Sequence, residues 1–378
     1  MRAHLIPLAL PLLASAASAQ ANCANTSTGA IPINDLGPET YQGFAGGLYP
    51  GGANMRPAAH DAAGLAEAAQ VVPRNAAGAP DPNGKIVLLS IGMSNTSNEF
   101  TAFMPIANAD PAKNPAVTLV NGAQGGQTAA AIANPNANFW TVVDQRLAMA
   151  GVSPAQVQAV WFKEANAGPT QPFPAHALVL EAQFGAIMGI LRTRYPNGRL
   201  CYASSRIYAG YASTPLNPEP WAYESAFAVK WLIEDQVNGA PALNFEPASG
   251  PVVSPWIAWG PYLWADGLVP RSDGLVWACS DLANDGTHPS PSGGTKVANL
   301  LLDFLKTDAT ARSWFLASPT PPCGPQAQVE EYGAGLGGPN GTVRLVASRL
   351  PTVPTNLPFR AHAFGGPPNA VGGFVLGG

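Results

Sequence analysis

Apolar residues fall along this chain in two rhythms. Short runs rich in β-branched residues, bounded by Gly, Asn or Pro, read as buried strands at Lys85–Ile91, Val117–Asn121, Val157–Phe162, Leu200–Tyr208 and Val252–Trp259. Longer stretches with helical spacing lie at Phe139–Ala150, Ala177–Arg194, Glu219–Val237 and Lys296–Leu305. Pro196-Asn197-Gly198 stops the second helix; Pro220 marks the start of the third and Gly239 lies beyond its end. Strands alternating with helices predict an α/β fold with a parallel sheet covered on both faces. Sites in such sheets gather outside the carboxyl ends of the strands.

Several of these predicted ends carry chemistry. The first strand breaks at Gly92 and delivers Ser94 just past its end. Asn121-Gly122-Ala123-Gln124-Gly125-Gly126-Gln127-Thr128 follows the second strand, and Lys163-Glu164-Ala165-Asn166 follows the third. Far downstream, Asp285-Gly286-Thr287-His288-Pro289 sets an acid three residues before an imidazole in a glycine-containing turn. A serine becomes a nucleophile when a base takes its proton and an acid orients that base. Each feature alone has a plainer explanation. Ser94 would cap the following helix, Asp285 would cap a helix beginning near Pro291, and Gly125-Gly126 would only permit tight turns. Together, in this order and at strand ends, they predict a catalytic Ser-His-Asp set.

The order Ser, Gly, Asn, Asp-x-x-His resembles the SGNH (GDSL-type) hydrolases over roughly Lys85 to Leu305. The resemblance implies a three-layer α/β/α, flavodoxin-like fold with a five-stranded parallel sheet. It implies Ser94 as nucleophile and Asp285 with His288 as the closing pair. The backbone of Ser94, Gly126 (or its neighbour Gly125) and the Asn166 amide would form an oxyanion hole. Gly92-Met93-Ser94 stands where the family usually has Gly-Asp-Ser, and Glu164-Ala165-Asn166-Ala167 where it has Gly-x-Asn-Asp. Ser94-Asn95 and Trp161-Phe162-Lys163-Glu164-Ala165-Asn166-Ala167 are more similar to the carbohydrate O-acetylesterase branch, with its G-Q-S-N and W-x-Q-G-E-x-N runs; the second match is one residue short. The implied activity is serine ester hydrolysis that removes short acyl (acetyl) groups from carbohydrate or other small esters, with no metal or cofactor. The alternative is a catalytically silent carbohydrate-binding or cell-surface protein that keeps the fold.

Substrate-contact candidates are Asn95, beside the nucleophile, Arg206 and Tyr208, at the end of the fourth predicted strand, and Trp264. Trp256, Trp259, Tyr262 and Trp264 would line a sugar-stacking cleft or pack in the core. Glu164 reads as a solvated or salt-bridged charge at a strand end. His60, His176 and His362 have no motif around them and read as surface or loop residues.

Composition narrows the partners. The 378 residues accommodate one large domain and an appendage, and 47% hydrophobic content supports a substantial core. A formal net charge of −4, with only 11% charged residues, offers no basic face, so nucleic acid is not an expected partner. Arg2, the apolar Leu5–Leu13 and Ala17-Ser18-Ala19 read as a cleavable leader over 1–19, which predicts export. The apolar run is too short to span a bilayer, so stable membrane insertion is not expected. Residues 20–83 read as a loop-rich extension without strong helix or strand, 84–318 as the hydrolase domain, 319–326 as a Pro-rich linker and 327–378 as a β-rich segment without catalytic residues. Cys23, Cys201, Cys279 and Cys323 contain no C-x-x-C spacing and suit two disulfides in an oxidising compartment. Cys201 and Cys279 are expected at opposite sheet edges, too far apart to pair. Cys23–Cys279 with Cys201–Cys323 is the preferred pairing. The oligomeric state is left open.

Overall fold

The computed structural model describes residues 20–317 and, beyond them, four short strands at 337–338, 341–342, 344–347 and 361–364. The expected leader and the Pro-rich linker lie outside the described residues. The chain divides into two compact units, Met1–Ala317 and Ser318–Gly378.

The first unit is built on five parallel strands: β1 (Ile86–Gly92), β2 (Val117–Asn121), β3 (Val157–Lys163), β4 (Leu200–Ala203) and β5 (Trp256–Trp259). Their order across the sheet is β2-β1-β3-β4-β5, with every neighbouring pair parallel. This is the flavodoxin-like doubly wound order, as expected. Every residue of β1, β3, β4 and β5 is buried. Burial on both faces is why these strands read as continuous apolar runs rather than alternating ones.

Among the described residues, seven helices of seven or more residues surround the sheet: α1 (Ala58–Ala68), α2 (Ser94–Ala109), α3 (Asn138–Met149), α4 (Ala175–Arg194), α5 (Trp221–Val237), α6 (Pro291–Thr307) and α7 (Ala309–Phe315). Helix α2 packs on α6, α6 on α7 and α7 on α1, while α4 packs on α5. These two groups supply the outer layers.

Strands β4 and β5 are shorter than their apolar runs suggest. β4 ends at Ala203, where the Ser204 N–H makes a last bond to the Phe162 carbonyl (2.8 Å) and the Ser204 hydroxyl turns to Pro261 O (2.8 Å). Arg206 and Tyr208 therefore lie in the loop beyond β4. Upstream of β5, the N–H groups of Val253 and Ser254 bond to Asn244 O in a turn, and Pro255 has no N–H to add to a ladder.

Residues 20–83 are expected to be loop-rich without a strong helix or strand, and within them the structure places the 11-residue helix α1. Its sequence, AAHDAAGLAEA, is dominated by the best helix-forming residue. Gly64 lets α1 lie against the Trp256 ring, where any Cβ would overlap the indole. The segment closes the open edge of β5. His60 Nε2 meets Ile257 O (2.8 Å), the Trp259 N–H donates to the Tyr49 hydroxyl (3.3 Å), and Gln236 Oε1 of α5 accepts from the Ile257 N–H (2.7 Å). Covering an edge strand this way removes a template for aggregation.

Cys23 and Cys279 form a disulfide across 256 residues, with Cα atoms 5.4 Å apart. Cys201 corrects the expected second bridge. It is a free thiol with no exposed surface inside β4, and burial raises its pKa above the usual thiol range. Cys323 lies outside the described residues. In the second unit, Arg344–Ala347 pairs antiparallel with Ala361–Phe364, and Gly337–Gly338 with Gly341–Thr342. Gly373–Leu376, another run read as a strand, lies outside the described residues. No helix among the described residues is long and apolar enough to cross a membrane.

The thiol assignment predicts that alkylation of the folded, unreduced protein leaves the Cys201 peptide unmodified, and that denaturant makes it reactive. Peptide mapping that finds Cys201 in a disulfide would contradict it.

Candidate active site

Ser94 is the first residue of α2, at the carboxyl end of β1. Three contacts with one residue of β3 fix it there. Gly92 passes so close to the Lys163 carbonyl that a Cβ would collide with it. The Thr96 hydroxyl donates to the same carbonyl (2.6 Å). The Lys163 ammonium then holds both oxygens of Glu99, at 2.5 and 2.6 Å, with both side chains fully buried. Burial pulls the Lys163 pKa down to about 8 and pushes Glu99 up, and their attraction opposes both shifts.

His288 reaches Ser94 from a turn docked on α2. The Asn95 side chain donates to Thr287 O (2.9 Å), and Gly286, with φ +65°, passes so close to the Tyr211 carbonyl that no side chain fits. Asp285 Oδ1 accepts the N–H groups of Thr287 and His288, each at 3.0 Å. Its Oδ2 meets His288 Nδ1 at 2.5 Å, and His288 Nε2 meets Ser94 Oγ at 2.8 Å. The three side chains form one continuous relay. Burial raises the Asp285 pKa, but the bonds from the His288 backbone, the His288 ring and the Thr287 backbone outweigh it, so the carboxyl sits below its usual range. A charged acceptor at Oδ2 puts the ring proton on Nδ1 and leaves Nε2 to accept from the serine.

Two further segments face Ser94. After β2, the Gln124 N–H bonds to Gly92 O (2.9 Å), and Arg146 holds the carbonyls of Asn121 (2.9 Å) and Ala123 (2.6 Å). This brings Gly125 beside the serine: a Cβ on it would lie 3.9 Å from Ser94 Cβ. Gly126 adopts φ +73° and lines the same cavity. Among the described residues, the N–H groups of Ser94, Gly125 and Gly126 donate to no backbone carbonyl. After β3, Asn166 Oδ1 accepts from the Ala130 N–H (3.0 Å), and its Nδ2 donates to Gln183 Oε1 of α4 (2.6 Å). One Nδ2 proton is left over. These groups surround a cavity of about 390 Å³ whose lining includes Ser94, Gly126, Asn166, Arg206 and His288.

The sequence-derived candidates separate here. Ser94, Gly126, Asn166, Asp285, His288 and Arg206 come together at one end of the sheet. Asn95 also borders the cavity, and its buried amide donates one hydrogen bond to Thr287 O in the His288 turn. Tyr208 and Trp264 are not at the cavity. Both are fully buried, with Tyr208 donating to Asn25 O (2.6 Å) and Trp264 to Glu219 Oε1 (2.8 Å). Trp256, Trp259 and Tyr262 are core as well, so no sugar-stacking face arises from this cluster. Glu164 is neither solvated nor salt-bridged. It is 1% exposed, its Oε1 accepts the Ala165 N–H (2.9 Å), and burial raises its pKa well above the ordinary carboxylate value. His60 and His176 are buried rather than on the surface. Gln183 and Asn217 are additions that no sequence motif announces. Asn217 borders the cavity and donates to Asn166 O (3.1 Å).

No protein-family model matches the chain, and no curated protein is similar to it in sequence. Among solved structures, the chain is similar to the YxiM protein of Bacillus subtilis at 12% identity, over 60% of this chain and 58% of that one, with a TM-score of 0.34. It is also similar to the periplasmic domain of a lipopolysaccharide acetyltransferase of Salmonella serovar Paratyphi A at 13% identity, over 58% of this chain and 84% of that one, with a TM-score of 0.32. The chain thus spans less than two thirds of YxiM. Neither likeness bears on the chemistry, which rests on the geometry above.

The clamp beneath Ser94 gives a stability prediction. Lys163→Met leaves Glu99 buried without its partner and should cost about 3–5 kcal/mol in urea unfolding. Adding Glu99→Leu should recover most of that loss, because replacing both charges removes the uncompensated one. A double variant as unstable as the single one would show that the loss does not come from an uncompensated Glu99.

Proposed function

We propose that this protein is a serine ester hydrolase working through Ser94, His288 and Asp285. The observation that carries the reading is the unbroken relay from Ser94 Oγ to His288 Nε2 (2.8 Å) and from His288 Nδ1 to Asp285 Oδ2 (2.5 Å), at the wall of a cavity. A cap or a packing role would not require three side chains in this order and these roles.

In the reaction, Ser94 Oγ attacks the ester carbonyl and His288 Nε2 takes the hydroxyl proton. Asp285, ionised because its hydrogen bonds outweigh burial, opposes the charge of the imidazolium. The N–H groups of Ser94 and of Gly126 or Gly125, with the spare Asn166 Nδ2 proton, receive the oxyanion. Such donors act strongly because they are fixed before the charge develops; removing one typically costs about 100- to 1000-fold in rate. His288 then protonates the leaving alcohol. A water molecule, deprotonated by His288, releases the acid from the acyl-enzyme.

The site suits small esters. A cavity of about 390 Å³ lies near the small end of ligand pockets and has a mixed polar and apolar lining. Short acyl groups, acetyl above all, on a carbohydrate or another small alcohol fit this space and agree with the sequence resemblance. The expected export of the chain is compatible with the Cys23–Cys279 disulfide.

The experiment is turnover of p-nitrophenyl acetate. The protein should hydrolyse it. Ser94→Ala and His288→Ala should each lower kcat by about a thousandfold or more, and Asp285→Asn by a comparable factor through the wrong tautomer, with KM little changed. A folded Ser94→Ala protein that keeps wild-type turnover would remove the triad reading. Absence of turnover in the wild-type protein on any small ester would favour a silent binding protein.

The division of labour along the chain is also open to test. Every residue given a role lies before residue 317, so a chain ending after Gln326 should keep its kcat on p-nitrophenyl acetate. A folded but inactive shortened chain would assign part of the site to the C-terminal segment.

A further inference from the structure

We propose that Gln183, on α4, is a positioning residue that holds the Asn166 amide with its N–H turned towards the developing oxyanion. The proposal deepens the esterase reading and rests on it for the reaction served, though not for the orientation of the amide.

Asn166 lies in the loop after β3 and lines the cavity. The last torsion of an asparagine side chain is broad and roughly two-fold, so a free carboxamide presents either its oxygen or its nitrogen. Only the nitrogen can stabilise an oxyanion. Two hydrogen bonds remove the choice. The Ala130 N–H can only donate, so the atom it meets at 3.0 Å is Oδ1. The other end is therefore Nδ2, which donates to Gln183 Oε1 at 2.6 Å. The first bond decides which end is which, and the second fixes the plane of the amide. Gln183 takes one Nδ2 proton and leaves the other for the oxyanion. Gln183 itself does not line the cavity, so it acts through Asn166 and not on the substrate.

Both anchors are held by packed elements. Ala130 belongs to the short helix Ala129–Ile132, where the Ala129 N–H donates to Ala165 O (3.1 Å), and this helix packs on α4. On α4, Gln183 shares a face with Leu180, Phe184 and Ile187, all three buried. Phe184 sets its ring edge-to-face on Phe162 of β3, with centroids 4.9 Å apart. A polar residue on the apolar stripe of a helix forgoes packing there. Here it is aimed at one partner. The Asn166 backbone is fixed separately, by the Asn217 Nδ2 bond to Asn166 O (3.1 Å). Gln183 thus controls the amide without being needed to place the loop.

The test is a double-mutant cycle on the full chain, read by turnover of p-nitrophenyl acetate. Gln183→Met keeps the length of the side chain and removes the acceptor. It should lower kcat by about tenfold or more with KM little changed, because small misplacements of a reacting group are costly. Asn166→Ala should cost about 100- to 1000-fold. Adding Gln183→Met to Asn166→Ala should lower kcat no further, since the only group it positions is gone. Gln183→Glu, which keeps an acceptor, should recover part of the loss. Losses that simply multiply in the double variant would overturn the proposal and leave the esterase standing. A second measurement needs no turnover. With isotopically labelled asparagine, the side-chain resonances of Asn166, identified by their loss in Asn166→Ala, should include one Nδ2 proton at a hydrogen-bonded position that moves upfield in Gln183→Met. Resonances unmoved by Gln183→Met would overturn the proposal. If the wild-type protein hydrolysed no ester, the esterase reading would fall, while a moved resonance would still uphold the hold of Gln183 on the amide.

Discussion

The clamp between the first turn of α2 and the end of β3 is the constraint on which the site depends. One residue, Lys163, is touched in three ways: its carbonyl crowds Gly92 and accepts from Thr96, and its ammonium holds Glu99. Ser94 follows Gly92 by two residues, so its position is set by backbone contact rather than by its own side chain. The other parts attach to this point. The loop after β2 is tied to Gly92 O through Gln124, and the His288 turn is tied to α2 through Asn95. Segments almost two hundred residues apart thereby meet within hydrogen-bond reach.

Environment separates the acids around the cavity. Asp285 accepts two backbone N–H bonds and an imidazole, and it stays ionised where charge opposite His288 is useful. Glu164, equally close to the strand ends, has one backbone donor and full burial, which favours its neutral form. The same functional group is thus negative beside the base and favours the neutral state beneath the pocket.

Much of this architecture is legible in the residues. The continuous apolar runs of β1 to β5 follow from burial on both faces, and turn chemistry at Gly92 and Gly286 marks the two places where a side chain is delivered. Strand ends are less legible. Leu200–Tyr208 reads as one run because Ile207 and Tyr208 are buried too, yet the chain leaves the sheet after Ala203 through the bonds of Ser204. Local composition also conceals α1, whose alanine-rich sequence has weak amphipathic contrast and which is fixed by the distant Trp256. Spacing leaves the aromatic cluster near β5 open between cleft and core, and gives Cys201 a disulfide partner it lacks, for one reason: burial in the centre of a fold is a long-range property that spacing does not report. Gln183 and Asn217 belong to the same class, since each acts on Asn166 from far along the chain.

The central claim is that Ser94 becomes covalently acylated, and a serine-directed fluorophosphonate tests it most directly. After reaction, intact mass should rise by one adduct, peptide mapping should put it on the peptide bearing Ser94, and esterase turnover should fall in step with labelling. His288→Ala should label far more slowly, because the hydroxyl then has no base within 2.8 Å. An active protein labelled at another serine, or not labelled at all, would contradict the account.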